Sequence, residues 1–411
     1  MSFTRKSADL TPIVDTVFSI VALAKKDKAE NGDDKVVDAT IGSLYGEDGK
    51  LVAFDSVFDH YDAIDHRVKA AYAASFSGNP DYRETVYSWA TQSQKLSLNH
   101  SVIATPGGSG ADSMAITTFL DEGETLIIPD IAWGSYTLMA HENNINYVQY
   151  SMFDGNHFNL DSFKKTVTSV AEKQDRVAII INDPCHNPSG YSLSNEEWKE
   201  LVSFLNEVGK KNHVVLIDDI AYIDYSFNLE HSRDYMQNFN DISDKVMIIV
   251  AFSCSKTLTS YGLRCGAAII LAKNSSDVRD AEIIMEKKAR ATWSSIPNAA
   301  MVNFVWTVTE NHDVFTAEKQ KYIDLMKERS SIFLKEAGEC GLQTYPFKEG
   351  FFVTLKVEDN KVRNRIHQSF MDEHIYTVCV NKGIRIAICS LPVKKVYGLA
   401  QKMKNIEDKN L

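Results

Sequence analysis

Through the middle of the chain, short apolar and β-branched runs recur at residues 101–105, 125–130, 147–152, 177–182, 213–218, 246–253 and 266–271. They lack strict polar alternation, which suits strands covered on both faces. Helical stretches lie between several of them. One opens with Ser194 and Glu197, spaced as a capping box. It then sets Trp198, Leu201, Val202, Leu205 and Val208 on one face. This alternation predicts an α/β fold with a mostly parallel, seven-stranded sheet. Beyond about residue 310 the pattern changes to a long charged helical region, followed by strand candidates at 351–357, 375–380 and 383–389. These predict a smaller α+β domain; the first forty or so residues are expected to pack with it, an expectation that periodicity does not supply. The expected division is 1–50 as an N-terminal segment, 51–310 as the large domain and 311–411 as the small one.

Composition narrows the class. With 411 residues and 44% hydrophobic content, the chain can bury cores for more than one domain. A net charge of -11 argues against a nucleic-acid footprint, which needs a basic face. It leaves room for a locally basic pocket that takes a small anion. No run of about 20 apolar residues is present, so no membrane span is expected. The stretch MSFTRKSADLTP lacks the apolar centre of a signal peptide. Cysteines 185, 254, 265, 340, 379 and 389 form no CxxC pair and have no histidine at zinc spacing. Neither a disulfide framework nor a metal site is expected, and a cytoplasmic location fits.

In open parallel sheets ligands gather beyond the carboxyl ends of the strands. The segments that follow each apolar run therefore carry the candidate chemistry. After 101–105 comes Pro106-Gly107-Gly108-Ser109-Gly110-Ala111, where glycines and a helix N-terminus suit an anion. A plain strand-to-helix turn explains the same residues. Ser113 stands where a dinucleotide fingerprint would need its last glycine, and no GKS or GKT follows. After 246–253 come Cys254, Ser255 and Lys256, with Arg264 eight residues on. A lysine directly after a buried strand is costly unless its amine is used or paired. Hydroxyls from Ser253 and Ser255 and the Arg264 guanidinium suit a phosphate. A surface lysine beside a solvated arginine is the plain alternative. Asp219, followed by Tyr222, can hold a heteroaromatic nitrogen protonated or simply cap a helix. Trp133 can stack on a ring or fill the core. Asn187-Pro188 reads equally as a turn. Arg385 alternates with Ile384 and Ile386, so it faces either solvent or a cleft where it would grip a carboxylate.

Order and spacing together are more specific than any one of these features. The chain resembles the fold-type I pyridoxal-phosphate aminotransferases, closest to their aspartate and aromatic branch. The resemblance runs from Ile41-Gly42 to Arg385 through TPGGSGA (105–111), Trp133, CHNPSG (185–190), DIAY (219–222), SCSK with Arg264, and Arg290 in KARATWS. It implies that Lys256 carries pyridoxal 5'-phosphate as a Schiff base and shuttles a proton. Asp219 would pair with the ring nitrogen, Tyr222 and Asn187 with the phenolic oxygen, and Trp133 would stack on the ring. Gly108, Ser109, Ser253, Ser255 and Arg264 would hold the phosphate. Arg385 would bind the substrate carboxylate beside Trp133 and Asn187, with the backbone near Gly42 closing over it. Arg290 would arrive from a partner subunit to meet a side-chain carboxylate, which implies a homodimer.

Two features depart from the family pattern. A partner tyrosine usually reaches the phosphate from five residues before the glycine matched here by Gly78. That position is Ala73, and Tyr72 lies one residue off. Trp293, Ser294 and the segment near Tyr45 also differ around the distal carboxylate. The implied substrates are an L-amino acid, aspartate or glutamate or an aromatic one, and a 2-oxo acid such as 2-oxoglutarate. Rival readings are a β-lyase, decarboxylase or racemase on the same scaffold, a non-catalytic binding protein, and a serine hydrolase using S-x-x-K at 253–256. The last lacks S-D-N and K-T-G elements, and its serine should open a helix rather than end a strand.

Overall fold

The computed structural model describes residues 3–4, 9–13, 16–92 and 94–410. Residues 1–2 and 5–8, half of the stretch read above for a signal peptide, lie outside the described residues. All seven apolar runs become strands of one sheet: β1 Asn99–Thr105, β2 Thr125–Pro129, β3 Asn146–Tyr150, β4 Arg176–Asn182, β5 His213–Asp219, β6 Val246–Ser253 and β7 Gly266–Ala272. Their spatial order is β1-β7-β6-β5-β4-β2-β3. Only β7 is antiparallel to its neighbours. It can be, because the short connection from β6 has no need of a crossover helix.

Except in the edge strand β3, where Tyr147 and Gln149 are exposed and the expected covering of both faces fails, alternate residues of the strands enter separate cores. Ile179, Leu216 and Ile248 pack on one face of the sheet. Ile180, Ile217 and Ile249 pack on the other. Apolar side chains on both faces explain the continuous runs in the sequence. The helix Asn195–Gly209 starts with the expected capping box, Ser194 and Glu197, and buries Trp198, Leu201, Val202 and Leu205. Such a cap stabilises a helix by about 1 kcal/mol.

The C-terminal part has its own core around Phe333, Val353, Ile384, Ile386 and Met403. The helix His312–Cys340 leads to it and ends at Gly341, whose φ of 76° only glycine adopts freely. A three-stranded antiparallel sheet follows: β8 Phe352–Lys356, β9 Val378–Val380 and β10 Gly383–Ala387, in the order β8-β10-β9. The single strand expected at 375–380 is divided. Ile375–Tyr376 pairs in parallel with Val37–Asp38, whereas Val378–Val380 pairs with β10. The strand expected at 383–389 ends at Ala387, because Ile388–Ser390 turns as a 3-10 helix. The N-terminal helix Thr16–Asn31 buries Ile20 and Ala24 against Tyr376.

Strand register positions the site. Thr105 at the end of β1 sits beside Gly266, and Gly266 beside Ser253 at the end of β6. Asp219 at the end of β5 is flanked by Asn182 and Ala251. The loops carrying the candidate residues therefore leave one edge of the sheet together.

Candidate functional site

A cavity of about 110 Å³ opens at that edge. Its lining includes Gly108, Ser109, Trp133, Asn187, Asp219, Tyr222, Ser253, Ser255, Lys256 and Arg264. One water needs roughly 10–15 Å³ of such space, so the cavity is shaped for something larger. Ten of the residues singled out in the sequence thus meet in one place.

One part of the wall is built for an anion. The helix Gly107–Phe119 begins here, and its first N–H groups have no intrahelical partner. Gly107 has a φ of +74°, and a Cβ there would collide with the Arg264 guanidinium. Arg264 donates from Nη1 to Ser255 Oγ at 3.1 Å and to the Tyr261 carbonyl at 2.6 Å. It also donates from Nη2 to the Pro106 carbonyl at 3.3 Å. All three partners are neutral, so its charge is free for an anion. Ser253 ends β6 and also caps the four-residue helical turn Cys254–Thr257, its Oγ accepting from Ser255 N. The expectation that this serine ends a strand without opening a helix is thus corrected. Its hydroxyl is engaged in shaping the turn.

Another part of the wall is acidic. Asp219 is buried, accepts from Tyr136 Oη at 2.5 Å through Oδ2, and accepts from Ala221 N at 3.0 Å through Oδ1. Burial raises its carboxyl above the usual range, opposed by these two donors and by Lys256. Asp112, one turn into the glycine-led helix, also lines the cavity.

Lys256 projects between these regions. Burial pushes its ammonium down to about 8, with Arg264 and Arg385 adding to the push and Cys389 and Asp219 opposing it. Its Nζ lies 5.5 Å from the Tyr222 ring centre and 5.1 Å from that of Tyr261. The turn that holds it is braced from below. Thr257 Oγ1 donates to Asp224 at 2.6 Å, and the buried Asp224 also pairs with Arg233 at 2.6 Å and Lys319 at 3.5 Å. Tyr222 Oη accepts from Asn187 Nδ2 at 3.4 Å. Burial raises the Tyr222 phenol.

Arg385 faces the cleft, not solvent. It is 7% exposed, whereas Ile384 and Ile386 point into the small core from the other face of β10. Its Nη1 donates to Asn187 Oδ1 at 3.2 Å and its Nη2 to the Thr40 carbonyl at 2.7 Å. The Phe352 ring lies under the guanidinium, 4.4 Å away. No carboxylate pairs with Arg385 among the described residues. A second, more open cavity holds Arg385 and shares Trp133 and Asn187 with the first. Gly42 lines neither cavity, but a Cβ there would press on Phe352 and come within 3.8 Å of Tyr222 Oη.

Two expected residues are not brought to the cavity of their own chain. Arg290 ends the helix Ser275–Thr292, donates to Ser294 Oγ at 2.7 Å and lies 4.7 Å over the Phe76 ring. Tyr72 is 87% exposed on the surface. Sequence reasoning also missed five cavity residues, Asp112, Tyr136, Asn182, Ala221 and Tyr261. Tyr136 lies three residues after Trp133, and Asp112 lies three after Ser109. That spacing places Asp112 on the same helical face as Ser109, whereas Trp133 precedes the helix Ser135–Glu142 that carries Tyr136. Tyr261, whose Oη accepts from Leu44 N at 2.9 Å, had no such signal.

Residues 35–403 match the family model described as aminotransferase class I and II. The chain is 26% identical over 224 residues to an aspartate aminotransferase of Escherichia coli, covering 54% of each chain. It is 24% identical over 251 residues to an aromatic-amino-acid aminotransferase of Paracoccus denitrificans, covering 60% of this chain and 61% of that one. The matched segment thus spans about half the length of the Escherichia coli relative. A solved aminotransferase structure from Anaerococcus prevotii superposes with a TM-score of 0.95 at 33% identity, covering 98% of this chain and 99% of the other. An aromatic-amino-acid aminotransferase from Burkholderia pseudomallei, covalently bound to pyridoxal phosphate, shares the fold, with a TM-score of 0.78 at 19% identity. It is matched over 99% of this chain and 100% of that one.

Proposed function

The chain belongs to the class I and II aminotransferases, and from that premise we propose that it transfers an amino group from an L-amino acid to a 2-oxo acid, using pyridoxal 5'-phosphate. The observation that carries this reading is the buried Arg385 guanidinium, without a carboxylate partner among the described residues, beside the cavity that holds Lys256 and Asp219. An unpaired buried charge is costly. Here it awaits an anion next to an amine and a carboxylate.

The wall chemistry fits the cofactor. Gly108, Ser109, Ser253, Ser255 and Arg264 match a phosphate, and Asp219 matches a protonated ring nitrogen. Trp133 covers the ring, and Tyr222 with Asn187 offers hydrogen bonds to the ring oxygen. When bound, the cofactor supplies an electron sink for the pair left at the amino acid Cα. Arg385, supported by Asn187, grips the α-carboxylate and fixes the Cα–H bond relative to Lys256. Gly42 leaves room for the backbone to close there. Lys256 Nζ, tethered and already lowered towards neutrality, takes the proton from Cα and delivers it at short range. Asp219, held by Tyr136 and Ala221, keeps its negative charge against the ring nitrogen.

In this reading residues 51–310 carry the cofactor, while 1–50 and 311–411 bring Arg385 to it. The active form is a homodimer, to which the partner contributes Tyr72 at the phosphate and Arg290 at a distal carboxylate. The exposure of Tyr72 and the absence, among the described residues, of any carboxylate paired with Arg290 support that arrangement. Six free cysteines accord with a cytoplasmic setting. Aspartate or glutamate suits Arg290, and an aromatic amino acid suits a site where Arg290 stays on Phe76.

Single amino acids mixed with the loaded protein and 2-oxoglutarate test the reading, with the new 2-oxo acid and glutamate measured. Aspartate or phenylalanine is expected to give both in equal amounts. Release of ammonia or carbon dioxide instead would assign a lyase or a decarboxylase. Mixing inactive Lys256→Ala and Arg290→Ala proteins should restore activity through hybrid dimers, and no recovery would refute the shared site.

A further inference from the structure

We propose that Asp112 is a further cofactor-binding residue, an uncharged acid whose hydrogen bonds are completed only when the cofactor ring lies in the cavity. The inference rests on the reading above, that pyridoxal phosphate binds there. Asp112 is four residues after Gly108 and three after Ser109 on the helix Gly107–Phe119, so all three share a face. That face lines the cavity. The Asp112 side chain is 1% exposed, and neither of its carboxyl oxygens has a hydrogen-bond partner among the described residues.

This arrangement is expensive. Each buried polar group without a partner costs about 1–3 kcal/mol, and more if charged. Asp is also a poor residue for a helix interior. Neither local propensity nor packing accounts for it, so a ligand that completes its bonding does.

The neighbours decide its charge. From the end of β5 it faces Asp219, and from the helix Ser135–Glu142 it faces Tyr136. Asp219 receives two donors, from Tyr136 and Ala221, and is also drawn towards ionisation by Lys256. Asp112 receives none. Two adjacent buried carboxyls do not both ionise readily. Asp219 therefore keeps the charge and Asp112 the proton. Burial and the Asp219 charge hold the Asp112 carboxyl well above the usual carboxylate range. As a neutral acid it offers one donor and one acceptor to the ring side, without repelling a phosphate one helical turn away.

Calorimetric titration of cofactor-free protein tests this, with pyridoxal phosphate and inorganic phosphate as separate ligands. Wild type that binds no pyridoxal phosphate sinks the broader reading, not this one alone. Given wild-type binding, Asp112→Ala should weaken pyridoxal phosphate about tenfold, the effect of one or two hydrogen bonds. It should leave phosphate binding unchanged and the melting temperature of the cofactor-free protein equal or higher. Asp112→Asn, which keeps a donor and an acceptor, should bind within about threefold of wild type. Unchanged cofactor affinity in Asp112→Ala overturns the inference. So does an equal change for inorganic phosphate, or Asp112→Asn binding as weakly as Asp112→Ala. If Asp112→Ala fails to fold, the Asp112→Asn titration against both ligands still decides it: weakening beyond threefold overturns the neutral acid.

Discussion

Replacing Arg385 by leucine removes a guanidinium whose hydrogen bonds among the described residues go to Asn187 Oδ1 and the Thr40 carbonyl. Those two bonds to neutral acceptors contribute about 1–3 kcal/mol together in the ligand-free protein. Against that stands the desolvation of a buried, unpaired charge, several kcal/mol. Burial indeed draws the Arg385 guanidinium below its ordinary range. The desolvation cost is at least as large as the gain from the two bonds, so Arg385→Leu should not lower the melting temperature of the ligand-free protein by more than a few degrees. Substrate binding changes the balance, because a carboxylate meets the fork that Phe352 and Asn187 hold in place. Loss of one partner from a buried charged pair costs about 2–5 kcal/mol. A fall in kcat/KM of roughly 10²–10³-fold is expected for an α-amino acid. Arg385→Lys keeps the charge but loses the bidentate fork, and should fall between leucine and wild type. The decisive control is a primary amine without an α-carboxylate, measured in half-reactions with all three proteins. Its rate should be independent of the substitution. A fall of less than about threefold for the amino acid, or an equal fall for the amine, would refute the assignment of Arg385.

Lys256 in the cofactor-free protein should react with an amine-directed reagent with a midpoint near pH 8, read by peptide mass spectrometry; a midpoint close to 10.5 would show that its burial is relieved in solution. The sign carries over to stability: its protonated form is disfavoured by folding, so this destabilisation is full below about pH 8 and fades as pH rises to 10.5. Gly107→Ala forces a Cβ onto Arg264 at a φ of +74°, and should weaken cofactor binding at least tenfold and cost about 1–2 kcal/mol in denaturant titration. Asp224→Asn leaves Arg233 and Lys319 buried without their anion, so unfolding should become easier by about 3–5 kcal/mol. Because Lys319 and Arg233 hold Asp224 well below the carboxylate range against its burial, its contribution is present above about pH 4 and lost on acidification. Acid denaturation of the two proteins should therefore converge, and parallel curves would remove Asp224 from the account.

Most of the seven strands were legible because they are buried on both faces, and that leaves an uninterrupted apolar run such as Val246–Phe252 in the sequence. The residues that follow each run were legible too, since a parallel sheet collects its loops at one edge. Lys256, Asp219, Tyr222, Asn187 and Arg264 were found in that way, with their order and spacing supplying the family likeness. What the chain alone left open is what depends on direction and on partners. Arg385 alternates with isoleucines whichever way β10 faces, and only its packing against β8 and β9 turns it towards Asn187. Asp112 and Tyr136 read as ordinary helical residues until the sheet register placed Asp219 against them. Tyr72 and Arg290 line neither cavity of their own chain, which their place in the sequence did not reveal. Local burial writes itself into the order of apolar and polar residues. The meeting of side chains from β5, β6 and β10 with the helix after β1 does not, because it is set by strand order and register across more than 250 residues.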